Sequence, residues 1–231
     1  MEFIKKEKYF YEDLVCIMRI LRSEDGCPWD REQTHASIRN NFIEEVYEAI
    51  EAIDDENPKM LREELGDVLL QVLFHAELSA EAKEFDMDEV CDEICKKLIM
   101  RHPHIFADTT AKTSEQVLKN WENIKIEEKG YADPKEYVRS AAKSLPALMR
   151  AEKIQKRLIK RNLAKKPKPE EILKNLKEDF SNLEKLENLE KNENFEMIGQ
   201  ILYDIVALAC EHNVNAEQAL CDFNKKILKN L

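Results

Sequence analysis

The run Glu63-Glu64-Leu65-Gly66-Asp67-Val68-Leu69-Leu70-Gln71-Val72-Leu73-Phe74-His75 limits the fold more than any other stretch. At helical period, Leu65, Val68, Leu69, Leu70, Val72, Leu73 and Phe74 cover most of the circumference. A helix apolar nearly all round is predicted to be buried. One line stays polar, with Glu64, Asp67, Gln71 and His75 at i, i+3, i+7 and i+11. Buried carboxylates are costly unless paired or bound to metal. Glu64 and Asp67 therefore require cations, and the identity of those cations decides the function.

A chain of 231 residues with 4 Gly, 7 Pro and 36% charged residues reads as one or two all-α domains. The net charge of −11 argues against nucleic acid or a membrane surface as the main partner. By the same charge, an anionic substrate requires metal ions or a local basic patch. The N-terminus, rich in Lys and Glu, shows no secretory signal. No apolar run reaches the roughly 20 residues of a membrane span. Six cysteines form no CxxC pair, and Cys91 and Cys95 have a spacing that suits core packing. Free thiols in a cytoplasmic protein are the plain reading.

Helices are predicted over residues 9–25, 34–55, 58–83 and 87–100, and from Thr113-Ser114-Glu115-Gln116, a capping-box pattern, to Gly130. Cys27-Pro28-Trp29-Asp30 reads as a turn, Arg101–Phe106 as a break and 130–144 as a connecting loop. Further helices are predicted over 145–162, 169–191, 195–212 and 215–229. His102 and His104 flank a proline and suit a structural loop better than a chelate. The basic run from Lys156 to Lys168 reads as an anion-binding stretch or a solvated face.

One helix upstream of the central run lies Glu44-Glu45-Val46-Tyr47-Glu48. Its acids are predicted to project away from an apolar stripe of Ile43, Val46, Tyr47 and Ile50. A short link through Pro58 makes the two helices antiparallel neighbours. Glu45 and Glu48 can then converge with Glu64 and Asp67. Four converging carboxylates are tolerable around a hard cation, Mg²⁺ or Mn²⁺ in its place. Mg²⁺ favours phosphate oxygens, so a nucleotide or other polyphosphate is the expected ligand and metal-assisted hydrolysis the expected chemistry. A solvated acidic face or a buried salt bridge is the structural alternative. Gly66, costly inside a helix by about 1 kcal/mol, is read as room for a neighbouring helix or a ligand. Lys97 and Arg101, at i and i+4, are candidates to neutralise phosphate charge, with exposed ion pairing as the alternative.

Several motifs together resemble the MazG nucleoside triphosphate pyrophosphohydrolases. They are Cys27-Pro28-Trp29-Asp30 with Gln33-Thr34-His35, Glu44-Glu45-x-x-Glu48, Glu64-Leu65-Gly66-Asp67, Arg101-His102-Pro103-His104-Ile105-Phe106-Ala107-Asp108 and Asn120-Trp121-Glu122-x-Ile124-Lys125. The resemblance spans about residues 10 to 165. It implies a MazG-type helical bundle working as a homodimer. It also implies hydrolysis of NTPs or dNTPs to NMP and pyrophosphate with Mg²⁺. By motif position, Glu45, Glu48, Glu64 and Asp67 are the implied metal ligands, and Glu44 is implied either to support those ligands from behind or to help orient the attacking water. Lys97 and Arg101 match phosphate-contacting positions. Trp29 or Trp121 is a candidate to pack on the base or to gate it, with core packing as the alternative reading of either.

Aligning Gly199 with Gly66 gives a weak internal duplication. It divides the chain into a catalytic domain at 1–140 and a second, degenerate MazG-like domain at 141–231, assigned to dimerisation or regulation. In the second copy the ligand positions become Asp179, Asn182, Met197 and Gln200, while Lys97 maps to Lys226 and Arg101 to Asn230. Two rival readings stand beside the hydrolase. A di-iron carboxylate bundle needs two ExxH repeats, and the chain offers one, Glu32-x-x-His35. A non-catalytic helical dimerisation or regulatory protein would use both acidic motifs as salt-bridged faces.

Overall fold

The computed structural model describes residues 4–107, 109–131, 133–141, 143–183 and 191–230. Asp108 of the Arg101–Asp108 motif and residues 184–190 of the predicted 169–191 helix lie outside the described residues. Every regular element among those described is an α-helix: α1 Tyr11–Arg22, α2 Pro28–Glu32, α3 Arg39–Asp54, α4 Pro58–Glu81, α5 Met87–Arg101, α6 Pro103–Phe106, α7 Ser114–Glu128, α8 Pro134–Arg139, α9 Ala147–Lys160, α10 Pro169–Leu183, α11 Lys191–Glu211 and α12 Ala216–Leu228.

The long helices start where their caps dictate. The Asn57 side chain accepts from the Met60 amide at 3.2 Å, with Pro58 as the first residue of α4. Asp86 and Glu89 close a reciprocal capping box on α5. The Thr113 hydroxyl accepts from the Gln116 amide at 3.3 Å ahead of α7. Three short helices replace a predicted turn, break and loop. Each of α2, α6 and α8 has proline at its first position, where the missing N–H costs nothing. Conversely, α3 begins five residues later than predicted. Thr34 and Ser37 exchange side chain–backbone hydrogen bonds of 2.9 and 3.2 Å, which hold residues 34–37 in a turn.

The chain divides into two compact units, Met1–Trp121 and Glu122–Leu231. In the first unit, α3 packs on α4, and Met18, Ile38 and Phe74 form a core with Leu70 and Leu78 against it. Arg22 braces this unit from within. Its guanidinium makes a bidentate pair with Glu81 at 2.6 and 2.7 Å, donates to the Asp30 carbonyl and lies 5.3 Å from the Phe74 ring. In the second unit, α10 packs on α11 around Ile172, Leu176 and Ile201.

Two sequence expectations fail in the first unit. The central helix is not buried along its length: Leu65 is 54% exposed and Leu69 37%, and full burial begins at Gln71. The predicted apolar stripe of α3 also faces outward, since Ile43, Val46, Tyr47 and Ile50 are all exposed, as is Ile53. What α3 buries is Ala49 and Ala52. These small side chains let α3 approach α4 closely, and at i+4 and i+7 they share a face with Glu45.

Candidate active site

The close α3–α4 contact gathers carboxylates from both helices. Glu45, Glu48 and Glu64 each offer an oxygen within 4.8 Å of the others'. Among the described residues this is the one gathering of three or more potential ligand groups so tight. Partial burial holds the Glu45 carboxyl above its usual range, and the charges of Asp67, Glu48 and Glu44 add to the effect. Glu64 is raised too, first by desolvation, then by the charge of Glu48 and a hydrogen bond with it, then by Asp67 and Glu63. Asp67 thus lies near enough to act on both, although it is outside the tight group of three. Among the described residues, no lysine, arginine or histidine forms an ion pair with Glu44, Glu45, Glu48, Glu64 or Asp67.

A cluster that repels itself and has no basic partner fits a divalent cation. Its donors are all carboxylate oxygens, the chemistry that hard ions select. A side-chain carbon added at Gly66 would meet nothing within 4 Å, so close approach of a neighbouring helix within this chain does not account for the glycine.

The predicted cations lie on α5. Lys97 pairs with Glu93 at 2.7 Å, and the Arg101 guanidinium stacks 5.2 Å from the Trp121 ring. Trp29 is 57% exposed at the start of α2, where its carbonyl accepts from the Gln33 side chain at 2.8 Å. Exposure removes the core-packing reading of this indole. Among the loop histidines, His102 Nδ1 lies 2.7 Å from the Leu98 carbonyl, a local structural contact.

Two features escape a reading of the sequence. His35 and His75 stack with an interplanar angle of 4° and Nδ1 atoms 2.7 Å apart, so one nitrogen must donate and the other accept. His75 stands on the polar line of α4, but its partner is 40 residues away and no local pattern connects them. Burial, then the neighbouring His35, pushes the His75 pKa down. One turn nearer the carboxylates, Gln71 is 7% exposed and its Oε1 is buried with no hydrogen-bond partner.

An all-helical unit in which two neighbouring helices bring three glutamates to one point has the donor chemistry of a carboxylate site able to hold a metal ion. Residues 33–106 match the family described as the MazG nucleotide pyrophosphohydrolase domain. Over 226 residues the chain is 38% identical to the nucleoside triphosphate pyrophosphohydrolase/pyrophosphatase MazG of Thermotoga maritima, covering 98% of this chain and 86% of that one. It is 49% identical over 145 residues to a nucleoside triphosphate pyrophosphohydrolase of Escherichia coli K12, covering 62% of this chain and 55% of the relative. It is also 46% identical over 156 residues to the uncharacterized protein YabN of Bacillus subtilis, where 66% of this chain matches 32% of that one. The chain belongs to the MazG family.

Proposed function

We propose that this chain hydrolyses nucleoside triphosphates, ribo or deoxy, to the monophosphate and pyrophosphate, with Mg²⁺ or Mn²⁺ held by Glu45, Glu48, Glu64 and Asp67. The observation that carries the reading is the convergence of three glutamates with no basic partner, inside the segment matched to the family. A divalent ion bound there supplies polarisation of phosphate oxygens and positive charge against an anionic substrate. Glu44, exposed and adjacent to the cluster, accepts the proton of the attacking water. Lys97 and Arg101 offset charge on the pyrophosphate leaving group. The exposed Trp29 offers its ring to the base.

The functional unit is a homodimer in this reading. The outward apolar residues of α3, with Leu65 and Leu69 of α4, form a face of the kind a second copy covers. Among the described residues no helix is long and apolar enough to cross a membrane. The cysteines that are free suit a reducing compartment, the cytoplasm.

The test is product identification on a nucleotide panel with Mg²⁺ or Mn²⁺. Monophosphate and pyrophosphate are expected in equal amounts. Diphosphate and inorganic phosphate as products, or unchanged turnover in Glu64→Gln, would overturn the assignment. Sedimentation of the full chain tests the dimer, and a monomer at micromolar concentration would contradict it.

A further inference from the structure

The second unit holds a group of arginines that the proposed activity does not use. From Ala147 to Lys168 the chain carries nine basic residues against one acid, Glu152. Lys156 pairs with Glu152, and Lys166 lies 3.0 Å from Glu211. Arg150, Arg157 and Arg161 pair with no carboxylate among the described residues. They stand at i, i+7 and i+11, one stripe of α9 and its C-cap.

None of the three is a fully exposed cation: Arg157 is buried, and Arg150 and Arg161 are half-buried. Arg157 is 7% exposed and donates through Nη1 to the Tyr137 carbonyl at 2.5 Å and the Ser140 hydroxyl at 2.9 Å. The carbonyl end of α8 offsets part of its charge. The guanidinium carbons of Arg157 and Arg161 lie 4.2 and 5.3 Å from the centre of the same Tyr137 ring. Nε of Arg161 and Nε of Arg150 are both buried without an acceptor. Two guanidiniums crowd one ring, and the stripe retains buried donors that nothing satisfies. A buried charge without a counter-charge, like a buried donor without an acceptor, is costly. A phosphoryl group would relieve both, since its oxygens accept from planar guanidinium forks two at a time.

We propose that Arg157 and Arg161 around Tyr137, extended by Arg150, form an anion site for a polyphosphate group, either free pyrophosphate or the phosphates of a nucleotide. This site is separate from the carboxylate cluster and does not rest on the reading of that cluster. Binding is therefore measured on the full chain in EDTA, where divalent ions cannot support the carboxylate site. Pyrophosphate, ATP and orthophosphate are titrated by calorimetry. Equal affinity for pyrophosphate and ATP assigns the site to the phosphates alone, whereas tighter binding of ATP assigns it to a nucleotide. Orthophosphate is expected to bind more weakly than either.

Arg161→Gln is expected to weaken binding about tenfold, the worth of one charge-assisted pair of hydrogen bonds. Lys165→Gln, in the same basic run but exposed, is expected to leave affinity within about twofold, as for a surface charge. Equal losses in the two variants would mean diffuse charge attraction and overturn the site. So would no binding of pyrophosphate or ATP by the unaltered chain. Because Arg161 also caps α9, a measurement on the unaltered protein stands beside the variants. The Nε–H resonances of Arg150 and Arg161 are expected to move on addition of pyrophosphate, and their failure to move would also refute the proposal.

Discussion

The α3–α4 pair and the α10–α11 pair are both helical hairpins, yet they use their facing surfaces differently. In the first, Ala49 and Ala52 bring the backbones together and leave Glu45, Glu48 and Glu64 to share a point. In the second, Ile172, Leu176 and Ile201 fill the interface, and Met197 packs against them. Met197 is the position that the internal duplication pairs with Glu64. Where aliphatic volume closes the contact, the hairpin gains stability; where alanines thin it, charge is tolerated and a ligand site becomes possible. Gly66 and Gly199 are alike in both pairs, each with open space where a side-chain carbon would sit. The glycine therefore does not distinguish them, but the acids and the alanines do.

The largest expected difference is catalytic. Glu64→Gln should lower pyrophosphate release from a triphosphate by about 10²-fold or more, beyond the loss typical of an outer-shell partner. Gln200→Ala on α11 should leave it unchanged, and steady-state rates on the two variants decide whether the hairpins differ in function. Next in size is packing. Ala52→Leu overfills the α3–α4 contact and should cost about 1–3 kcal/mol in denaturant unfolding, with loss of turnover as the carboxylates separate. A fully active Ala52→Leu protein would break the claim that close approach builds the site.

Smaller is the response to metal. At ten times its dissociation constant, Mg²⁺ should stabilise the protein by about 1.4 kcal/mol. Glu45→Gln should remove most of that gain, read as the shift in thermal midpoint between EDTA and Mg²⁺. Smallest is the effect of the histidine pair, which α11 lacks. His75 titrates below its ordinary 6.5 in the folded chain. As the pH falls, the unfolded chain takes up that proton first. Its contribution is therefore complete above about pH 6.5 and is lost as the pH drops from there through the folded value. Thermal midpoints of the parent chain and His75→Gln across pH 7.5 to 5.5 should converge at the acid end, and parallel curves would remove His75 from the account.

The helices and the acid pair are legible in the sequence because their signals are local. Carboxylates at i, i+3 and a three-residue link from Asp55 to Asn57 are enough to place Glu45, Glu48 and Glu64 near one another. The packing face of α3 is not legible. Ile43, Val46 and Tyr47 carry the strong hydrophobic pattern, whereas the alanines that pack carry little of it, so periodicity points to the exposed side. The stretches around Pro28 and Pro103 read as a turn and a break, and 130–144 as a loop, although Pro28, Pro103 and Pro134 each open a short helix. The bidentate Arg22–Glu81 pair and the His35–His75 stack join residues 59 and 40 positions apart, and no local spacing announces such contacts.

The link between α3 and α4 has a consequence for how the chain comes together. Contacts close in sequence form early, because little chain entropy is lost in making them. Glu45 and Glu64 should therefore meet while much of the molecule is still unstructured, and their mutual repulsion should oppose the hairpin at that moment. Divalent ions in the medium should then hasten refolding, and the speed of this protein's self-assembly becomes tied to the ionic supply around it.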